Sequence, residues 1–169
     1  MTLILEDGTG VASANSYASA TYAGGYHASR GNLDGWEEVL EAGAAEGMLI
    51  DATRVVEQTY GWLGYIATST QGLGLPREEI VLRDGRSLDG PAQVALAADA
   101  VSLLALELWR DRPPADGVRK RSESLPDYSV TYDLESERQY AEADRILSLI
   151  AASGSLGGKF SNGSVLRWS

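Results

Sequence analysis

Hydrophobic positions along this chain recur at helical spacing far more often than they alternate, and three stretches carry most of that signal. From about Ala44 to Leu63, the residues Leu49, Thr53, Val56, Tyr60 and Leu63 recur at intervals of three and four, which predicts an amphipathic helix with one buried face. Residues 92–111, AQVALAADAVSLLALELWRD, are apolar nearly all the way round. A helix of that kind is buried on most sides, so it is predicted to be the central one, and RPPADG stops it at Arg112. ERQYAEADRILSLIAA, residues 137–152, predicts a last helix with Tyr140, Ala143, Leu147 and Ile150 on one face.

Weaker elements lie between these. Thr2–Leu5 is a short apolar run, a strand or an extended arm. Ser16 or Ser19 caps a helix running to about Arg30, with Tyr22, Tyr26 and His27 to one side. GNLDG, residues 31–35, breaks it, and Trp36 starts a further helical piece that Gly43 and Gly47 weaken. IVLRDGRSL, residues 80–88, predicts a tight hairpin turning at Asp84-Gly85. Tyr128, Val130 and Tyr132 alternate as a strand would. From Ser153 onward the chain is rich in Gly and Ser. The predicted class is mainly α: a small helical bundle (residues 1–152) with a long buried central helix, one protruding β-hairpin or loop, and an extended C-terminal arm (residues 153–169).

Composition narrows the function. An apolar share of 44% over 169 residues suits one globular domain. The net charge of −10 disfavours wrapping nucleic acid, which needs phosphate neutralisation by Lys and Arg. With no cysteine, disulfides and thiolate metal sites are excluded. MTLILEDG has neither a basic start nor a long apolar run, so no secretory signal is expected. The segment Val94–Trp109, carrying Asp99 and Glu107, reads as too short and too charged to span a bilayer, and the expected location is a cytosol.

The candidate chemistry thins out on inspection. EDGTGVASANSY, residues 6–17, looks like a phosphate-cradling loop, but Gly8 and Gly10 lack the third glycine of a dinucleotide fingerprint and the Gly-Lys-Ser/Thr of a P-loop. A turn leading to a Ser cap explains it better. His27 has no visible nucleophile or orienting partner and reads as a polar residue at a helix edge. Glu37, Glu38, Glu41, Glu46 and Asp51 form an acidic run without metal-loop spacing, so a solvated face is expected, or a lining to which a polyanion does not stick. Arg110, Arg112, Arg119, Lys120 and Arg121 cluster around the Pro turn. They contact an anion, or they pair with acids of this chain or a neighbouring subunit. Trp36, Trp62 and Trp109 are expected on helices, in the core or in subunit contacts. The tail GSLGGKFSNGSVLRWS, residues 154–169, is too rich in Gly to make its own core, and it is disordered or an interaction arm. In the second case Leu166 and Trp168 share one face of an extended end, and Val165 and Arg167 the other.

The order LILEDGTGVASANSY, YHASRGN, IDATRVVEQTYGWLGYIA, QGLGLPRE, DGRSLDGPAQVALAADAVSLLALEL, RSESLPDYSVTYD and YAEADRILSLI resembles a bacteriophage family over Leu3 to about Ala152. It is similar to the head–tail connector, adaptor or head-completion proteins of tailed phages, whose members are often labelled DnaT-like single-stranded-DNA-binding. The resemblance implies a non-enzymatic virion protein, with no catalytic residue, cofactor or metal. It implies a homo-oligomeric ring, usually of twelve, that binds the portal protein and a neck stopper or tail-completion protein. Genomic DNA passes through the lumen without specific binding, and no membrane is involved. The expected location is the virion neck, and the host cytoplasm during assembly. The partner-binding residues expected are Phe160, Val165, Leu166, Arg167 and Trp168 in the tail, with Arg119, Lys120 and Arg121. The alternative is a DnaT-like single-stranded-DNA-binding replication accessory. Such a protein needs a basic groove with exposed aromatics for base stacking, whereas here aromatics interleave with acids, as in TYDLESERQY.

Overall fold

The computed structural model describes residues 2–82, 84–111 and 134–154. Helix α1, Ala20–Ser29, starts where Ser19 accepts the Tyr22 N–H on its hydroxyl at 3.1 Å, satisfying one of the open donors of the first turn. Helices α2, Leu33–Glu41, and α3, Ala45–Thr59, are separated at Gly43, whose φ of +66° ends α2 in the left-handed region. Gly47 lies inside α3 on its exposed side.

The structure ends α3 at Thr59, four residues short of the predicted Leu63. Tyr60 turns extended, and the chain continues as β1, Gly61–Trp62, and β2, Tyr65–Ile66. Leu49, Thr53, Val56 and Tyr60 keep the predicted buried face, but Leu63 does not join it. Trp62 likewise sits on a strand, half-buried, rather than on a helix. The physical reason is Gly64, held at φ +69° so closely that a Cβ there would lie 2.1 Å from the Glu78 carbonyl oxygen. A strand, β3, Arg77–Glu78, pairs antiparallel with β2 across that contact. The predicted Asp84-Gly85 turn forms: Val81 bridges Ser87, and Leu82 N–H donates to the Arg86 carbonyl at 2.8 Å.

The central helix, α4, runs Gly90–Arg110 under a side-chain cap from Asp89. At 21 residues it is long and apolar enough to cross a membrane by length and composition, contrary to the sequence expectation. Its apolar stretch is instead 72% buried within the bundle. Val101, Leu104 and Trp109 lie in one core with Leu49 and Val56 from α3, with Tyr60 just past its end, and with Leu147 and Ile150 much later in the chain. Leu108 packs on the edge of that core, half-buried. Each fully buried Leu contributes about 1.5–3 kcal/mol.

The last helix, α5, spans Leu134–Leu147, shorter than predicted. Ala143, Leu147 and Ile150 are buried as expected, while the Tyr140 side chain lies outside the described residues. Ala151–Ser153 then forms a strand, β4, antiparallel to β1 with Gly61 opposite Ser153 and Trp62 opposite Ala151. Leu63 N–H also donates to the Ile150 carbonyl at 2.9 Å, and Tyr60 O–H donates to Asp144 of α5. The fold is mainly α with a long central helix. The expected Tyr128–Tyr132 strand and the C-terminal arm beyond Gly154 lie outside the described residues, while Ser153, expected to open that arm, belongs to β4.

Candidate functional site

The glycine loop is built around Glu6. Its carboxylate is 1% exposed and accepts N–H bonds from Gly8 at 3.0 Å, Gly10 at 2.8 Å and Val11 at 2.8 Å. Three backbone donors converging on one point make an anion cradle, and here the anion is the chain's own side chain. The loop therefore holds no phosphate site and joins the first residues to α1 by a tight turn. Asp7 beside it is exposed, and its carboxyl is held below the usual value by bonds from the Thr9 hydroxyl and N–H.

His27 is not at a helix edge. It is 2% exposed, stacked on Trp36 with ring centroids 5.3 Å apart, and edge-on to Tyr26. Its Nε2 lies 3.0 Å from the Ser102 carbonyl on α4, so the neutral ring donates there, while Nδ1 is buried with no hydrogen-bond partner. Burial pushes its pKa down, and Arg110 and Arg30 push the same way against the hydrogen bond. It ties α1 to α4 and has no nucleophile to activate.

An open groove of about 610 Å³ lies along α1, lined by Thr21, Tyr22, Gly25, Tyr26, Arg30 and Asp99 among others. Tyr22 O–H donates to Asp99 at 2.7 Å, and both burial and that carboxylate raise its pKa. Arg30 lies over the Tyr26 ring, 4.3 Å from its centroid, and pairs with Glu142 at 2.7 Å. Burial pushes Tyr26 up to about 12. One aromatic face is thus already covered and the other is tethered to a carboxylate. A nucleobase platform needs the reverse.

The exposed apolar surface is elsewhere, on the β2–β3 hairpin and just past it. Tyr65 is 69% exposed, Ile66 51% and Val81 58%. Acids flank them at Glu78, opposite Tyr65 in the ladder, and at Glu79, whose φ of +60° is the left-handed conformation a side chain rarely adopts. This hairpin is fixed to the bundle by two polar hubs, one buried and one half-buried. Gln93 of α4, fully buried, accepts from Arg77 N–H at 2.7 Å and donates to the carbonyls of Arg77 and Leu88, so it takes the place of a strand partner. Glu57 of α3 accepts from Tyr17 O–H at 2.6 Å, Trp62 Nε1–H at 3.1 Å and Gly74 N–H at 2.9 Å. Arg77 donates to the carbonyls of Gly74 and Gly64. Tyr65, Ile66 and Val81 are thus exposed on segments anchored to the bundle by Gln93 and Glu57.

Basic side chains tell a second part of the story. Arg30, Arg54, Arg86, Arg110 and Arg145 each pair with a carboxylate of the same chain, and Arg77 is spent on backbone carbonyls. The six arginines named here are thus matched internally. The Arg110 reading of self-pairing holds, through Glu107 at 3.1 Å. Glu37, Glu38, Glu41, Glu46 and Asp51 are all exposed, as a solvated acidic face requires. No group of three or more metal-ligating side chains occurs among the described residues.

Arg112, Arg119, Lys120, Arg121, Phe160, Val165, Leu166, Arg167 and Trp168 lie outside the described residues. Sequence reasoning missed Tyr65, Ile66 and Val81. The only available signal was an apolar pair directly after Gly64, in a stretch with no helical face to absorb it.

A family model described as "Putative DnaT-like ssDNA binding protein" matches residues 1–167, and the chain belongs to that family. No curated protein and no solved structure matches it.

Proposed function

We propose that this member of the DnaT-like family is an assembly subunit, the adaptor of a ring that joins a phage portal to its neck or tail and surrounds the passing DNA. The observation that carries this reading is that apolar side chains stand exposed at Tyr65, Ile66 and Val81 while Arg30, Arg54, Arg86, Arg110 and Arg145 each pair with a carboxylate of the same chain. Such side chains suit protein contact, since they offer burial without a field that attracts phosphate. A net charge of −10 suits a conduit through which DNA slides. The resemblance to head–tail connectors supports the same reading, with a homo-oligomeric ring, a portal partner and a location in the virion neck.

The family description supports a second reading, a single-stranded-DNA-binding replication accessory, and it says nothing of a connector. Two measurements separate them. Negative-stain images of the protein mixed with portal rings are expected to show an added collar. Fluorescence anisotropy with a labelled oligonucleotide is expected to show no binding at physiological salt. Micromolar or tighter affinity that falls steeply with salt, with no collar on the portal, would overturn the adaptor reading in favour of the accessory.

A further inference from the structure

We propose that the extended segment of residues 2–5 pairs with the same segment of a second copy, antiparallel and two-fold symmetric about Ile4, to give a dissociable dimer. A two-fold contact closes after two copies and builds no ring, so this inference stands apart from the adaptor reading.

The backbone of this segment is used on one side only. Ile4 donates its N–H to the Asn15 side-chain oxygen at 2.7 Å, and its carbonyl accepts from the N–H groups of Asn15 at 2.9 Å and Ser16 at 3.3 Å. The Thr2 carbonyl accepts from the Asn15 side-chain amide at 2.9 Å, and Glu6 N–H donates to the Ser16 carbonyl at 2.9 Å. Thr2, Ile4 and Glu6 thus face the chain's own loop, with Leu5 bridging Ser16 in parallel register. In extended backbone the N–H and carbonyl groups of Leu3 and Leu5 then point the other way. Among the described residues, none bonds to them. Backbone groups without a protein partner lie in water rather than in a core. Leu3 packs against the core and holds the segment down, while Ile4 is 38% and Leu5 40% exposed.

The open edge is complementary to itself. With Leu3 of one copy opposite Leu5 of the other, each such pair exchanges both of its N–H···O bonds, and Ile4 faces Ile4 across the axis as the closer, non-bonded pair. That register uses the groups that residues 3 and 5 leave open and none that are already paired. Charge permits it as well. In a chain of net charge −10 the stretch TLIL is uncharged, and Glu6 turns its carboxylate into its own loop. The antiparallel register puts the two Asp7 residues at opposite ends of the ladder. Neither Pro nor a charged side chain blunts the edge, the usual protection against strand addition. A second copy therefore supplies the matching edge with no other component. So short a ladder buries far less than the roughly 800 Å² per partner of a standard stable interface, so the dimer dissociates on dilution.

The absence of cysteine makes the register testable. Ile4→Cys puts the two thiols on the axis, where facing Cα atoms about 4.5 Å apart lie within disulfide range. Leu5→Cys puts them on residues that oppose Leu3 rather than each other, with Cα atoms more than about 7 Å apart and out of range. Leu40→Cys, exposed on α2, reports chance collision. With dissolved oxygen as oxidant, Ile4→Cys is expected to form disulfide dimers on non-reducing gels at least about tenfold faster than either other variant. Adding Leu5→Pro removes a donor that has no partner inside the subunit, and it is expected to bring the rate down to that of Leu40→Cys. Circular dichroism checks that each variant folds, and Leu3→Pro replaces Leu5→Pro if that one does not. In the unaltered protein the Leu3 and Leu5 amides are expected to gain hydrogen-exchange protection as protein concentration rises about a hundredfold. Equal rates for Ile4→Cys and Leu40→Cys, or for Ile4→Cys and Leu5→Cys, would overturn the proposal. So would cross-linking undiminished by proline, or amide protection that does not change with concentration. The adaptor reading fails separately, on portal images without a collar.

Discussion

Replacing Glu6 by Ala tests the claim that the glycine loop is folded around an internal anion. The change removes an acceptor that is 1% exposed and leaves the N–H groups of Gly8, Gly10 and Val11 without it. A hydrogen bond to a charged group contributes about 1.5–3 kcal/mol net, which for three bonds gives a gross loss of roughly 5–9 kcal/mol. Two effects reduce it. The variant no longer keeps a carboxylate out of water, and the three donors belong to half-buried residues that water reaches once the side chain is gone. The expected destabilisation is therefore about 2–4 kcal/mol. At a urea dependence of about 2 kcal/mol per molar, the unfolding midpoint falls by about 1–2 M. Glu6→Gln retains the volume and one acceptor oxygen and should lose about half as much. Acetate added in excess should stabilise Glu6→Ala and leave the wild type unmoved, because only the variant has a vacant cradle. A Glu6→Ala unfolding free energy within about 0.5 kcal/mol of wild type would refute the reasoning.

The remaining predictions concern the core, the hairpin and pH. Leu104→Ala truncates a buried side chain of α4 and should cost about 2–5 kcal/mol in urea melts, whereas a loss under about 1 kcal/mol would contradict its place in the core. Gly64→Ala should detach β2 from β3 by driving a methyl into the Glu78 carbonyl, seen as loss of hydrogen-exchange protection at Ala67 while α4 stays protected. His27 has a folded pKa below its ordinary 6.5, so the unfolded chain takes up a proton that the folded chain refuses. Its contribution to stability is complete above about pH 6.5 and drains away as pH falls toward the lowered folded value. Melts between pH 7.5 and 5.5 should show this decline, and His27→Gln should flatten it.

Legibility in the sequence followed length and periodicity. The central helix was visible because some twenty apolar residues impose one outcome, and α1 because Ser19 stands where a cap belongs. The Asp84-Gly85 turn was visible through local backbone chemistry. The small strands were not: β1, β2 and β3 are two residues each and β4 three, too short for alternation to register. The membrane argument against α4 failed because it cut the helix short at Val94; burial, which sequence cannot measure, is what settles its role. Glu6, Glu57 and Gln93 looked like ordinary surface polar residues, since nothing local says that backbone donors from other segments converge on them. His27 was misplaced for the same reason: its neighbour Trp36 belongs to a different helix. The hairpin surface was hidden because its residues are apolar and short in run, and their exposure depends on anchors in α3 and α4.

The pairing of β1 with β4 joins residues made far apart in time. Gly61 and Trp62 leave the ribosome well before their partners at Ala151–Ser153, and Leu147 and Ile150, which complete the core against α4, are equally late. A nascent chain that already holds α1 to α4 therefore still has an open seam and an uncovered core face. Folding of this kind waits for the segment through Ser153 to emerge rather than proceeding helix by helix. The seam acts as a check on completeness: a chain cut before Ile150 lacks the strand that fixes Trp62 and the carbonyl that receives Leu63. Fragments of that length should be cleared by proteases instead of competing with full-length chains.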